Sequence, residues 1–170
     1  MSAGPIQQLL VAKDHPSTVE HAARTAVAAV ASLLVARMFR LPEAYWAAVS
    51  TLIVMQSTLG AALPISAQRL AGTALGGVAG GFAAAYFPGN AYVFGIAVFL
   101  MGILCAAFRV ERSAYRYASV AIAIIMLVPR ANKAWIIAVH RFVEVSIGIA
   151  VALASTAVWP ERRPPALLKS

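Results

Sequence analysis

The sequence predicts an all-α integral membrane protein, six transmembrane helices built as two inverted three-helix repeats, and three observations lead there. Of 170 residues, 61% are hydrophobic and 12% charged, with a mean hydropathy of +0.79, whereas a typical soluble domain carries roughly 25% charged residues. The apolar segments are divided by short breaks rich in proline, glycine or charge. The chain also matches itself at one constant offset of 72 residues.

Residues 1–16 read as a short cytoplasmic tail. Met1 to Val11 holds no basic residue and the long apolar run starts late, so a cleavable signal is not expected. Pro16, Ser17 and Glu20 have the spacing of a capping box, which starts the first helix at Ser17. That helix becomes fully apolar after Arg24 and stops before Pro42. From Ser17 to Met38 it would measure about 33 Å, enough to span a bilayer. Further apolar segments follow at 44–59, 67–87, 91–108, 115–129 and 134–159, separated at 63–66, 87–90, 109–116 and 129–133. Residues 17–160 thus form one helical domain, with halves of 17–88 and 89–160, and residues 161–170 form a polar tail.

Charge sets the expected orientation. With the N-terminus inside, Lys13, Arg24, Arg69, Arg109, Arg112, Arg116, Arg162, Arg163 and Lys169 fall on the cytoplasmic side, and Arg37, Arg40, Arg130 and Lys133 fall outside. The positive-inside rule therefore places both termini in the cytoplasm. The net charge of +8 is read as loops meeting membrane lipid headgroups, since no nucleic-acid-binding pattern is present. Cys105 is the single cysteine and lies in an apolar run, so no disulfide forms within one chain.

At the 72-residue offset Arg37 falls on Arg109, Arg40 on Arg112, Tyr45 on Tyr117, Ile53 on Ile125, Arg69 on Arg141 and Gly76 on Gly148. Each half holds three helices, an odd number, so the second half must cross in the opposite sense. In transporters that arrangement puts the substrate site between the halves, near the midplane.

The candidate residues follow from this frame. Gly72, Gly76, Gly80 and, in the other half, Gly148 are helix-packing positions, smooth enough for a second helix to approach closely. Arg69 heads the glycine strip, where it either binds a substrate anion or snorkels from a helix entrance. Arg141 lies about two turns into a span, where a cation is costly unless paired or hydrated. Glu144 sits three residues on, so the two either neutralise each other or divide the work, Arg141 attracting a carboxylate and Glu144 exchanging a proton. Tyr45, Trp46 and Tyr117 fall at expected helix ends, as interfacial anchors or as stacking surfaces for an aromatic substrate. Gln56 and Thr73 are polar positions within spans that back-bond to their helices or contact substrate. No histidine pair at ligand spacing, nucleophile elbow or phosphate loop occurs, and the glycine run lacks the lysine of a Walker loop, so no enzyme, metal or cofactor is expected.

The run PEAYWAAVSTLIVMQ, then Gln68 to Thr73 with Gly76 and Gly80, then His140 to Glu144 with Gly148 and a closing Trp159-Pro160, resembles the fusaric-acid-resistance-like family of bacterial inner-membrane proteins. It is also called the aromatic acid exporter family, and its membrane part is similar to plant aluminium-activated malate transporters. The resemblance covers roughly residues 20–160. It implies export of aromatic carboxylates or related organic anions using the proton gradient. Ser57 stands where the family commonly has proline, and the large soluble domain of many members is absent from this sequence. A passive anion channel and a membrane subunit of a larger assembly are the other functions compatible with these residues. A homodimer or higher homo-oligomer is expected, because six rather short helices enclose little pore alone.

Overall fold

The computed structural model describes residues 17–55, 59–109, 111–128 and 133–159. These form α1 (Ser17–Met38), α2 (Tyr45–Val54), α3 (Leu59–Tyr86), α4 (Ala91–Ala107), α5 (Arg112–Leu127) and α6 (Ala134–Val158), with no strand among the described residues. Two helices, α1 from Val19 and α6, are long and apolar enough to cross a membrane.

Local chemistry explains most boundaries. The alanine-rich α1 has high intrinsic helix propensity. It closes on Arg40, whose φ of 52° is left-handed, and the Leu41 amide donates back to the Ala36 carbonyl. The end of α4 repeats this device, with Arg109 at φ 53° after Phe108 as Arg40 follows Phe39. Asn90 caps α4, its Oδ1 accepting from the Tyr92 and Val93 amides at 3.0 and 3.2 Å.

Two boundaries depart from the sequence expectation. The break at 63–66 is absent, and α3 runs through Pro64 without interruption. The proline sits in the second turn, where the only carbonyl it deprives is that of Gly60, a residue with open space around it. Conversely the segment expected at 44–59 is helical only to Val54, because Met55 turns out at ψ 117°. At ten residues α2 is about 15 Å long, half the thickness of a bilayer core. Gln56 and Ser57 lie outside the described residues.

The helices join across the two halves of the chain. On α3, Gly72, Gly76 and Gly80 meet Ala114, Ala118 and Ile122 of α5, one contact per turn at a constant spacing, so the two helices run parallel and in register. A Cβ on Gly76 would overlap the Ala118 backbone. On α6, Gly148 packs equally tightly on Ala47 and Ser50 of α2. Thr51 Oγ1 donates to the Gly148 carbonyl at 2.9 Å and Thr156 Oγ1 lies 3.8 Å from Met55 Sδ, so α2 and α6 are also parallel. The longest inner helices, α3 and α6, pack on each other between these pairs. The start of α1 meets the end of α6, where Arg24 Nη1 donates to the Trp159 carbonyl at 2.6 Å and Trp159 Nε1 donates to Glu20 Oε1 at 2.8 Å. The first and last helices thus share one end of the bundle, and Glu20 serves as that clasp. His21 belongs to α1 and lies 3.2 Å from Arg24.

The exterior is apolar. Leu34, Phe82, Phe99, Leu100, Ile103 and Val139 are all exposed, whereas Arg24, Arg69, Arg141 and Glu144 are buried. This inversion of the soluble pattern suits a bundle solvated by hydrocarbon.

Gly76→Ala is expected to lower stability by about 1–3 kcal/mol, since the new methyl must force two backbones apart. Gly95→Ala, with nothing near its Cβ, should be neutral or slightly stabilising. Thermal unfolding of the two variants in detergent distinguishes them.

Candidate functional site

Arg69 and Arg141 are 5% and 4% exposed, and each lies on an aromatic face donated by the other half of the chain. The Arg141 guanidinium of α6 sits 3.5 Å from the ring centroid of Trp46 on α2. The Arg69 guanidinium of α3 sits 5.0 Å from the ring of Tyr117 on α5. A desolvated cation over an aromatic ring gains about 2 kcal/mol or more, which offsets part of the cost of burial. Arg69 is well inside α3, not at a helix entrance, so snorkelling does not explain it; the continuity of the helix through Pro64 is what carries it inward. Tyr117 likewise sits in the second turn of α5, half-buried beneath the arginine.

The hydrogen bonds around the pair run through the start of α2. Arg69 Nη2 donates to Ser50 Oγ at 3.1 Å, and Ser50 Oγ donates to the Trp46 carbonyl. Trp46 Nε1 donates to Glu43 Oε2 at 3.1 Å, which fixes the ring under Arg141. The Glu43 amide donates to Glu144 Oε1 at 3.0 Å, so the buried Glu144 carboxylate receives a donor just before α2. An anion is favourable there, at a helix N-terminus. Arg141 is within electrostatic reach of Arg69, Glu144, Glu43 and Tyr45, which places both cations in one neighbourhood.

Several donors stay open. Arg69 Nε, Arg141 Nε and Arg141 Nη1 are buried without a hydrogen-bond partner. Buried polar groups are nearly always satisfied in native proteins, and orphaned cationic donors cost more than neutral ones. Two neighbouring guanidiniums with such donors, edged by aromatic rings, can receive a carboxylate and the ring attached to it.

The structure therefore brings together Arg69, Arg141, Tyr117 and Glu144. Tyr45 adjoins the cluster through its ring, 5.3 Å from that of Trp46, but is 52% exposed. Thr73 is buried one turn beyond Arg69 and borders a different space, a cavity of about 250 Å³ shared with Gly77, Trp135, Ala138 and Phe142. Gly72, Gly76, Gly80 and Gly148 touch neighbouring helices. Sequence reasoning missed three participants: Glu43, Ser50 and Trp46 in its role beneath Arg141. The 72-residue offset held a signal for the last, since Tyr45, its neighbour, pairs with Tyr117.

A helical bundle with an apolar exterior and cations on its inward faces defines a membrane protein with a polar interior. The chain belongs to the fusaric acid resistance protein-like family, whose profile matches residues 27–155. It is 26% identical over 153 residues to the inner membrane protein YeeA of Escherichia coli (strain K12), a match covering 85% of this chain and 42% of that protein. The chain thus spans under half the length of that relative. No solved structure matches it.

Ser50→Ala removes the hydroxyl that accepts from Arg69 Nη2 at 3.1 Å. Leaving that buried donor open is expected to cost about 1–3 kcal/mol of stability. Ser50→Thr should recover most of it; chemical denaturation of the purified chain provides the measurement.

Proposed function

We propose that this chain is a membrane transporter that exports small organic anions, aromatic carboxylates among them, from the bacterial cytoplasm with protons as the coupling ion. The observation that carries the reading is the pair of buried guanidiniums with unpartnered donors, each lying on an aromatic face. In this reading Arg141 and Arg69 attract the carboxylate, Trp46 and Tyr117 flank its ring with Tyr45 at the approach, and Glu144 takes up and releases the proton. The family membership and the inner-membrane relative support the membrane setting.

The same reading takes the helices as six crossings in two inverted repeats with both termini cytoplasmic. Three features support it. The left-handed Phe39-Arg40 and Phe108-Arg109 closures end the first helix of each half alike. Gly76 on Ala118 and Gly148 on Ala47 exchange packing between halves. The clasp of Arg24 and Glu20 with Trp159 brings the first and last helices to one side. A homodimer is the working assembly, since helices as short as the ten-residue α2 enclose little pore in one copy.

In proteoliposomes Arg141→Ala is expected to abolish uptake of a radiolabelled aromatic acid in counterflow while the protein still folds. Unchanged counterflow would exclude the assignment. Glu144→Gln should retain counterflow but lose accumulation driven by a pH gradient. Voltage imposed without that gradient should not concentrate substrate; if it does, the protein is a passive channel.

A further inference from the structure

A second feature, lined by other residues than the arginine pair, lies at the junction of α4 and α5. A cleft of about 500 Å³ opens there between the two helices, lined by Phe99, Gly102, Ile103, Cys105, Arg112 and Tyr115 among others. Apart from Arg112 and the Tyr115 hydroxyl its walls are carbon, and Phe99 and Ile103 on its rim are more than half exposed. The cleft therefore faces the surroundings of the bundle and not its interior. Gly102 keeps it open, because a Cβ there would meet the Tyr115 ring at 3.4 Å.

One end of the cleft is cationic. Arg112 lines it, Arg116 follows one turn later on the same face of α5, and Arg109 closes α4 beside them; all three are exposed. The carboxylate nearest in sequence, Glu111, already accepts from Gln68 Nε2 at 2.6 Å, and Ser113 Oγ completes that knot at 2.7 Å from Gln68 Oε1. Length adds a second argument. With 17 residues α4 measures about 25 Å, several ångströms less than a hydrocarbon core of about 30 Å. A short helix draws its flanking cations toward the headgroup boundary, where they reach up to lipid phosphates.

We propose that this cleft binds one anionic phospholipid, with an acyl chain lying along Phe99, Gly102, Ile103 and Tyr115 and the headgroup phosphate on Arg112. A soluble carboxylate would find one cation and otherwise carbon. A zwitterionic lipid carries its own cation at the same end as the arginines. The shape and the charge together select a chain with a net negative head.

The test is native mass spectrometry of the full chain, delipidated and offered phosphatidylglycerol and phosphatidylcholine with identical acyl chains. Retention of phosphatidylglycerol is expected to exceed that of phosphatidylcholine by about fivefold, the effect of one arginine at an anionic surface. Arg112→Gln should bring the two lipids to parity, and Arg40→Gln, at another helix end, should leave the preference intact. Gly102→Leu, which fills the cleft at ordinary contact distance, should cut retention of both lipids. Equal retention by the unaltered chain, or a preference that survives Arg112→Gln, overturns the proposal. So does loss of preference in Arg40→Gln, or undiminished retention in Gly102→Leu, which would leave only general headgroup adsorption.

Discussion

Two guanidiniums must be kept inside a bundle whose outside is hydrocarbon, and most of the inner architecture serves that requirement. A cation in such surroundings needs a partner within reach, and neither Arg69 nor Arg141 finds its aromatic partner on its own helix. Trp46 and Tyr117 come from α2 and α5, so the arginines sit correctly only if those helices lie hard against α6 and α3. The glycines make that approach possible. Without side chains at Gly72, Gly76 and Gly148 the neighbouring backbones come into direct contact, and the aromatic rings one turn away meet the arginine planes. Close packing and charge burial are therefore one design: widening either seam would withdraw a ring from its cation.

The start of α2 carries the polar side of the same arrangement. Glu43, Trp46 and Ser50 lie along one stripe, spaced three and four residues apart, so a single helical face reaches both arginines. Glu144 anchors that stripe through the Glu43 amide. Its carboxylate is thus tied to the backbone of the segment that orients Trp46. The Glu144 carboxylate therefore bears on the ring beneath Arg141 as well as on the local field.

Much of this was legible in the sequence, and what was not has physical reasons. Composition and the spacing of apolar segments gave all six helices, because hydrophobic runs bounded by breakers depend only on local chemistry. The glycine ladder announced close packing for the same reason. Pro64 misled because a proline in the second turn of a helix costs little where the carbonyl it faces belongs to an unhindered glycine, and that context is tertiary. The error carried forward, since Arg69 looked terminal only while the helix was thought to begin after the proline. The 72-residue offset pairs Arg69 with Arg141, and the two lie within electrostatic reach of each other. It could not give the partners, because the contacts cross between halves: Arg69 meets the aromatic of the second half and Arg141 that of the first. Ser50 and Glu43 had no signal in a single sequence, as a hydroxyl or carboxylate near a helix start is ordinary until a cation from a distant helix comes to face it.

The seams between helices are unequal, and the inequality indicates where this bundle can give. Along α3 and α5 the contacts are backbone to backbone at successive glycines, and along α2 and α6 the same holds at Gly148. Neither seam can slide without lifting a helix over an alanine or a serine. Between α3 and α6 a Cβ added at Gly77 would lie an ordinary 3.9 Å from the Ala138 methyl, and Gly81 faces the Trp135 ring. The tightest glycine contacts thus pair α3 with α5 and α2 with α6, across the two halves of the chain. Arg69 belongs to the first pair and Arg141 to the second, and each has its aromatic ring within its own pair. The hydrogen bond from Arg69 to Ser50 is what crosses that seam in the present conformation. An anion held by both arginines would cross it too, and would tie the two helix pairs together through the cations they bury.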